Sequence, residues 1–245
     1  MFSLKSFNHD LYERISAELK KGSVGLIYLD IRQFSSIEES YGKAFSEELL
    51  KFAGGIVRGI HTEVPAMIAN NMLSDDFFFY LSIAAQNNDE NVELLLHEQT
   101  IFLKDYIEKR LNEKFQIEPR VELNAGSYPL IIEPEKELET IVYLAMKQAI
   151  RQAKRKPLSA VDMNQANEFY EIIRKKLIRP VYQPIVSLTD ATVFGCEALS
   201  RGPKESSFYY PVPLFQFAER EGVLFSLDKL AREKAIQGFQ PQRED

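Results

Sequence analysis

Residues 66–83 read AMIANNMLSDDFFFYLSI, two runs of strand-forming residues on either side of a polar stretch. Ala66–Ala69 and Phe77–Ile83 carry the apolar runs, whereas Asn70–Asp75 holds the Asn, Ser and Asp residues that favour turns. The unit expected is a β-hairpin. Phe77-Phe78-Phe79-Tyr80 lacks polar alternation and reads as a strand covered on both faces rather than a platform for stacking bases. Upstream, Leu11–Leu19 has helical apolar spacing behind Asn8 as a cap, and Val24–Leu29 is an apolar run too short for a helix. A single amphipathic helix is expected from about Ser36 to Ile60, and another from Glu90 to Leu111. Val121–Tyr128 reads as a strand, and Leu138–Lys156 as a helix ended by Pro157. The order α-β-α-β-β-α-β-α, with a hairpin in its middle, predicts an α/β chain of the α+β kind. Its sheet should be backed by helices on one face, not all-parallel and doubly wound.

Asp30 closes the first strand, and Asp75-Asp76 stand at the hairpin tip. If the hairpin's second strand pairs antiparallel with the first, Asp30 comes beside Asp75 or Asp76. Adjacent strand residues face opposite sides, so one of the two shares its side with Asp30. Two carboxylates and a backbone carbonyl suit Mg²⁺, which needs few protein ligands when phosphates complete its shell. By chemistry alone the same residues also read as an ordinary turn and a strand-end cap.

Three segments carry a family resemblance: Leu29–Gly42 (LDIRQFSSIEESYG), Leu73–Phe77 (LSDDF) and Ala149–Lys154 (AIRQAK). Together they resemble a GGDEF domain, the diguanylate cyclase fold with a palm-like sheet. The resemblance implies Mg or Mn at Asp30 and Asp75, a nucleotide such as GTP near Glu47, and its phosphates near Lys154. It also implies a degenerate site. Leu73 and Ser74 replace two glycines that bring bare backbone close to the nucleotide, Asp76 replaces a longer glutamate, Glu38 a guanine-reading asparagine, and Leu158 a phosphate arginine. Val64–Met67 occupies the place of the Arg-x-x-Asp product-inhibition motif. The rest of the basic run, Arg151, Arg155 and Lys156, reads as a solvated helix end favoured by the macrodipole.

Residues 180–203, PVYQPIVSLTDATVFGCEALSRGP, form a second hairpin signal, with strands at Val181–Val186 and Thr192–Ala198. Period-2 alternation places Glu197, Leu199 and Arg201 on one side and packs Cys196 and Ala198 on the other. With Pro213, Phe215, Ala218–Gly222 and Leu227-Asp228, this segment resembles the start of an EAL domain, the cyclic di-GMP phosphodiesterase barrel. The resemblance implies Glu197 as a metal ligand and Gln183, Leu199 and Arg201 as contacts to cyclic di-GMP. The family's later ligands, an Asn, an Asp-Asp pair and a Lys, have no counterpart after Arg201, so an incomplete EAL-type β/α barrel is expected.

Thirty basic against 36 acidic residues give a net charge of −6, which argues against general binding to nucleic acid. A single cysteine, Cys196, leaves no intrachain disulfide and fits a reducing cytoplasm. No apolar stretch approaches the roughly 20 residues that span a bilayer. The three histidines, His9, His61 and His97, lack zinc-ligand spacing. The organisation expected is a degenerate GGDEF-like domain at 1–156, a connector helix at 157–177, and the N-terminal part of an EAL-like domain at 178–245. The function expected is cyclic di-GMP signalling without turnover, with weak or incomplete Mg or Mn sites, cyclic di-GMP or GTP as ligand, and a homodimer or partner protein covering the open barrel. The alternatives are a fragment of an active phosphodiesterase, a residual cyclase, or a partner-binding module.

Overall fold

The computed structural model describes residues 9–83, 92–132, 135–154 and 160–239. The chain divides into two compact units, one ending at residue 155 and the other beginning at 156. In the first, the elements run α1 (His9–Leu19), β1 (Ser23–Ile31), α2 (Phe34–Tyr41), α3 (Lys43–Gly59), β2 (Met67–Leu73), β3 (Asp76–Ile83), α4 (Val92–Lys114), β4 (Leu123–Pro129) and α5 (Leu138–Ala153). The strands make one four-stranded sheet in the order β2-β3-β1-β4, antiparallel at every junction. Mixed helices around an antiparallel sheet are therefore the architecture.

Alternation along the two central strands sorts their side chains between two cores. Ile27, Leu29, Ile31, Phe77, Phe79 and Leu81 pack against Leu49, Ala53 and Val57 of α3 and Leu103 and Ile107 of α4. Val24, Leu26, Tyr28, Phe78 and Tyr80 pack against Ile15 of α1 and Val142, Ala145 and Ala149 of α5. Helices thus cover both faces, not the one expected from the hairpin. The cause is composition: β1 and β3 have almost no polar residue between their ends, so neither face can be left to water. Phe77, Phe78, Phe79 and Tyr80 are each 0% exposed, as a doubly covered strand requires.

Two boundaries differ from the sequence reading. The helix expected over Ser36–Ile60 is broken into α2 and α3 at Gly42, whose φ of 87° and ψ of 161° no helical residue adopts. Tyr41 is tied down at the break by donating its hydroxyl to the Glu118 carbonyl at 2.9 Å. The turn expected over Asn70–Asp75 shrinks to Ser74-Asp75, because Asn70–Leu73 continue the ladder opposite Phe79–Asp76. Asn70 stays in the strand because its side-chain amide finds the Val57 carbonyl at 3.0 Å. Ser74 takes the left-handed conformation, φ 58°, that glycine adopts more readily. The α5 helix ends at Ala153; Asn8, Leu158 and Pro157 lie outside the described residues.

The second unit contains α6 (Ala160–Arg174), β5 (Arg179–Val186), β6 (Val193–Arg201), α7 (Pro211–Glu221) and α8 (Leu224–Gly238). Phe169, Ile172 and Ile173 of α6 enter a core with Leu214 and Phe217 of α7 and Leu227 and Leu230 of α8. The segment expected as a connector is therefore part of this unit's packing. β5 and β6 form a two-stranded hairpin, held to α8 where Tyr182 donates to the Ala235 carbonyl at 2.7 Å. Towards its tip the hairpin leaves apolar side chains in solvent: Ile185 is 50% exposed, Val193 63% and Phe194 86%. Cys196 and Ala198, expected to pack, are both exposed. Among the described residues no helix is long and apolar enough to cross a membrane.

Gly126 of β4 lies opposite Tyr28, and α5 rests directly on it. A Cβ there would stand 2.0 Å from the Ala149 carbonyl oxygen and 2.7 Å from the Ala153 nitrogen, both backbone atoms that cannot swing aside. Gly126→Ala should therefore destabilise the first unit by ~3 kcal/mol, the upper part of the overpacking range. Chemical denaturation of the variant and the parent chain checks this.

Candidate functional site

One transverse row of side chains crosses the sheet where β1 ends. Leu73 of β2 pairs with Asp76 of β3, Asp76 with Asp30 of β1, and Asp30 with Asn124 of β4. Cross-strand partners project to the same side. The row faces the α1 and α5 side, because Tyr28 and Phe78, two residues along their strands from Asp30 and Asp76, belong to that core. The expected meeting of Asp30 with the hairpin tip is present, and Asp76 is the residue that meets it. Asp75 sits in the turn instead, where its backbone carbonyl accepts a hydrogen bond from the Ile31 amide at 3.2 Å.

Each carboxylate has a different set of partners. Tyr28 donates its hydroxyl to Asp76 Oδ1 at 2.5 Å, and its ring rests on Phe78 with centroids 5.2 Å apart. Asn124 donates its side-chain amide to Asp30 Oδ2 at 3.3 Å. Asp30 Oδ1 is buried and has no hydrogen-bond partner. Burial, followed by the repulsion of neighbouring carboxylates, raises the pKa of Asp30, and the Asn124 hydrogen bond and Lys154 charge only partly offset it. Asp76 is raised mainly by burial, against the opposing hydrogen bond from Tyr28. Burial and the bond to Asp76 keep the Tyr28 phenol protonated.

Lys154 supplies the positive charge. It is the C-cap of α5, and the close seat of that helix on Gly126 brings its last turn to the sheet beside Asn124 and Asp30. A cation at a helix C-terminus is also favoured by the macrodipole. Gln152, on the same turn, accepts from the Ser127 amide at 2.6 Å and fixes the helix end along β4. An orphaned carboxylate oxygen, with a second carboxylate paired beside it and a lysine whose charge acts on it, suits a divalent cation carrying phosphate. Among the described residues no group of three or more His, Cys, Asp or Glu is gathered as a complete metal cage.

Leu73 stands in this row, and the other residues singled out in the sequence lie apart from it. Glu47 is exposed on α3, 3.8 Å from Lys43, and Glu38 is exposed on α2. Leu73 is half-buried and packs on the core next to Asp76. In the second unit Gln183 pairs with Glu197, Val181 with Leu199, and Arg179 with Arg201, so the expected EAL-type residues do share one side of the hairpin. Glu197 is exposed, and Arg201 donates to the Ser200 carbonyl at 2.8 Å; among the described residues no ion pair joins the two. Tyr28 and Asn124 were missed. Tyr28 was legible in principle, since it stands two residues before Asp30 on the same face of β1.

Raised carboxyl pKa values mean that the folded chain holds more protons than the unfolded one. Stability therefore falls as pH rises from the ordinary aspartate range, about 3.9, through the folded-state values. Asp30→Asn removes that cost, so the variant should melt above the parent at pH 7. The gap should close as the pH is lowered towards the ordinary aspartate range. Thermal melts across pH measure it.

No family model and no characterised protein sequence matches the chain. Among solved structures, the active GGEEF domain of a diguanylate cyclase from Vibrio cholerae is 15% identical, with a TM-score of 0.41, over 58% of this chain and 85% of that one. The GGDEF domain of DgcB from Caulobacter crescentus, in complex with c-di-GMP, is 15% identical with a TM-score of 0.42, over 62% of this chain and 84% of that one. LapD S helix-GGDEF-EAL from Vibrio cholerae, bound to c-di-GMP, is 14% identical with a TM-score of 0.36 over 92% of this chain; the chain spans 54% of that protein's length.

Proposed function

We propose that the first unit is a degenerate GGDEF-type domain that binds a guanine nucleotide through a divalent cation without turning it over, and that the chain acts in cyclic di-GMP signalling. The observation that carries this reading is the row Leu73–Asp76–Asp30–Asn124 with Lys154 beside it. Asp30 would hold the cation through its unpartnered Oδ1, and Lys154 would face the phosphates as a point charge. A bound Mg²⁺ or Mn²⁺ would neutralise phosphate oxygens that the carboxylates alone would repel. Leu73 places a half-buried side chain beside Asp76 where two glycines of the motif would leave open backbone. Asp76 is itself engaged by Tyr28. The parts for holding a phosphate are retained, while the room and the free carboxylate that synthesis needs are reduced.

The second unit supports a lesser role. Its Gln183, Glu197, Leu199 and Arg201 share one hairpin side, which fits a surface for cyclic di-GMP of the EAL type. Glu197 is a single exposed carboxylate, and two metals held ~3.5–4 Å apart need several such ligands. Phosphodiester hydrolysis by these residues is not expected.

Titration calorimetry with GTP in Mn²⁺ should show binding that weakens at least about tenfold in Asp30→Asn and in Lys154→Ala, the loss of one charge-assisted contact each. Binding indifferent to both changes would remove this reading. Incubation of the chain with GTP and Mg²⁺ should yield no cyclic di-GMP; synthesis that depends on Asp30 would show a working cyclase instead. Cyclic di-GMP should likewise persist in the presence of the chain, and linear product that disappears with Glu197→Ala would refute the lesser role given to the hairpin.

A further inference from the structure

The sheet carries one more cross-strand pair beyond the Asp30 row, on the open side where β1 runs out. The β1–β4 pairing sets Asp30 opposite Asn124 and Ile31 opposite Leu123, and the next backbone bond keeps step, with the Arg32 amide donating to the Glu122 carbonyl at 2.9 Å. Alternation therefore returns Arg32 to the side of Asp30 and Glu122 to the side of Asn124. Their side chains meet there, Arg32 donating from Nη1 to Glu122 Oε2 at 2.5 Å. Two residues of a strand span roughly 6.5 Å, so Arg32 stands one such step further from the core than Asp30. Lys154 acts on Asp30 from a different quarter, the end of α5. Two cations thus flank Asp30 at separate places. That arrangement suits a ligand whose charge is spread along several phosphates better than one with a single phosphate. The Arg32–Glu122 pair is also weakly committed: its side chains are 38% and 60% exposed, and ion pairs in solvent contribute little. Of the five N–H donors of the guanidinium one goes to Glu122, and the planar fork has others to offer a phosphate oxygen.

We propose that Arg32 is a second phosphate-binding cation of the Asp30 site, held by Glu122 in the free chain and given over to the outer part of a polyphosphate when a nucleoside triphosphate binds. The inference rests on the nucleotide-binding reading of the Asp30 row and names what the site selects: the length of the phosphate chain. A nucleoside monophosphate engages Asp30 through its cation and Lys154, whereas a triphosphate also reaches Arg32. Glu122 competes with the ligand for the same guanidinium, so the two partners of this ion pair act on binding in opposite directions.

Titration calorimetry of the full chain in Mn²⁺, with GTP and with GMP, tests the assignment. Arg32→Gln should weaken GTP about tenfold, the loss of one charge-assisted contact, and GMP much less, so that the preference for GTP over GMP narrows. Glu122→Gln should tighten GTP about threefold by freeing the guanidinium from an exposed pair. In the Arg32→Gln background that gain should vanish. A pair that only braces the sheet would respond alike to the loss of either partner, and a general field of Glu122 would tighten GTP with or without Arg32. Either pattern, or GTP affinity unmoved by Arg32→Gln, would overturn the role of Arg32 and leave the Asp30 and Lys154 reading standing. Should Arg32→Gln not fold, Glu122→Gln decides: a gain for GTP larger than for GMP supports the assignment, and unchanged or weaker GTP binding overturns it. No GTP binding by the parent chain would overturn both.

Discussion

The antiparallel register between β1 and β3 is the constraint on which the first unit depends. It sets Asp30 opposite Asp76 and Tyr28 opposite Phe78, and it passes both strands through the middle of this unit with apolar side chains on each face. A slip of one residue would turn Phe77 and Phe79 from the α3–α4 core to the α1–α5 core and separate the two carboxylates. The same pairing therefore serves packing and chemistry, and the packing enforces it. Every aromatic residue of Phe77–Tyr80 is sealed from water, so the hydrophobic contribution of the strand is available only in this register.

The site is built where that packing ends. Asp30 and Asp76 come immediately after the last apolar positions of their face, and their charges are paid for by the buried area below them. Their raised pKa values express chiefly the cost of burying carboxylates at the edge of a core, to which neighbouring carboxylates add. Such local destabilisation, with an orphaned oxygen in the middle of it, is the kind of feature that a ligand relieves.

Sequence patterns revealed the elements that depend on neighbours along the chain and missed those that depend on neighbours in space. The apolar runs of β1 and β3 and the meeting of Asp30 with the hairpin tip followed from period and turn residues. The break at Gly42 did not, because the apolar spacing continues across it and only the positive φ interrupts the helix. Asn70–Leu73 looked like a turn for its asparagines, yet Asn70 satisfies its amide on the α3 carbonyl of Val57, a partner that local propensity cannot supply. The choice of Asp76 over Asp75 needed the exact length of the turn. The second face of helices was foreshadowed by the unbroken apolar strands, which carry more weight than the hairpin in deciding coverage.

Gly126 has a wider consequence for how the first unit can move. Because α5 touches the backbone of β4 through carbonyl and amide atoms, that helix is keyed to the sheet like a tooth in a notch and cannot slide along it without lifting off. Lys154 follows directly on this keyed helix as its C-cap. On the other flank of Asp30 is the short turn at Ser74, whose left-handed backbone departs from the conformation serine prefers. A residue with no side chain thus sets how closely α5 is held along one flank of the Asp30 row, while the other flank ends in a two-residue turn.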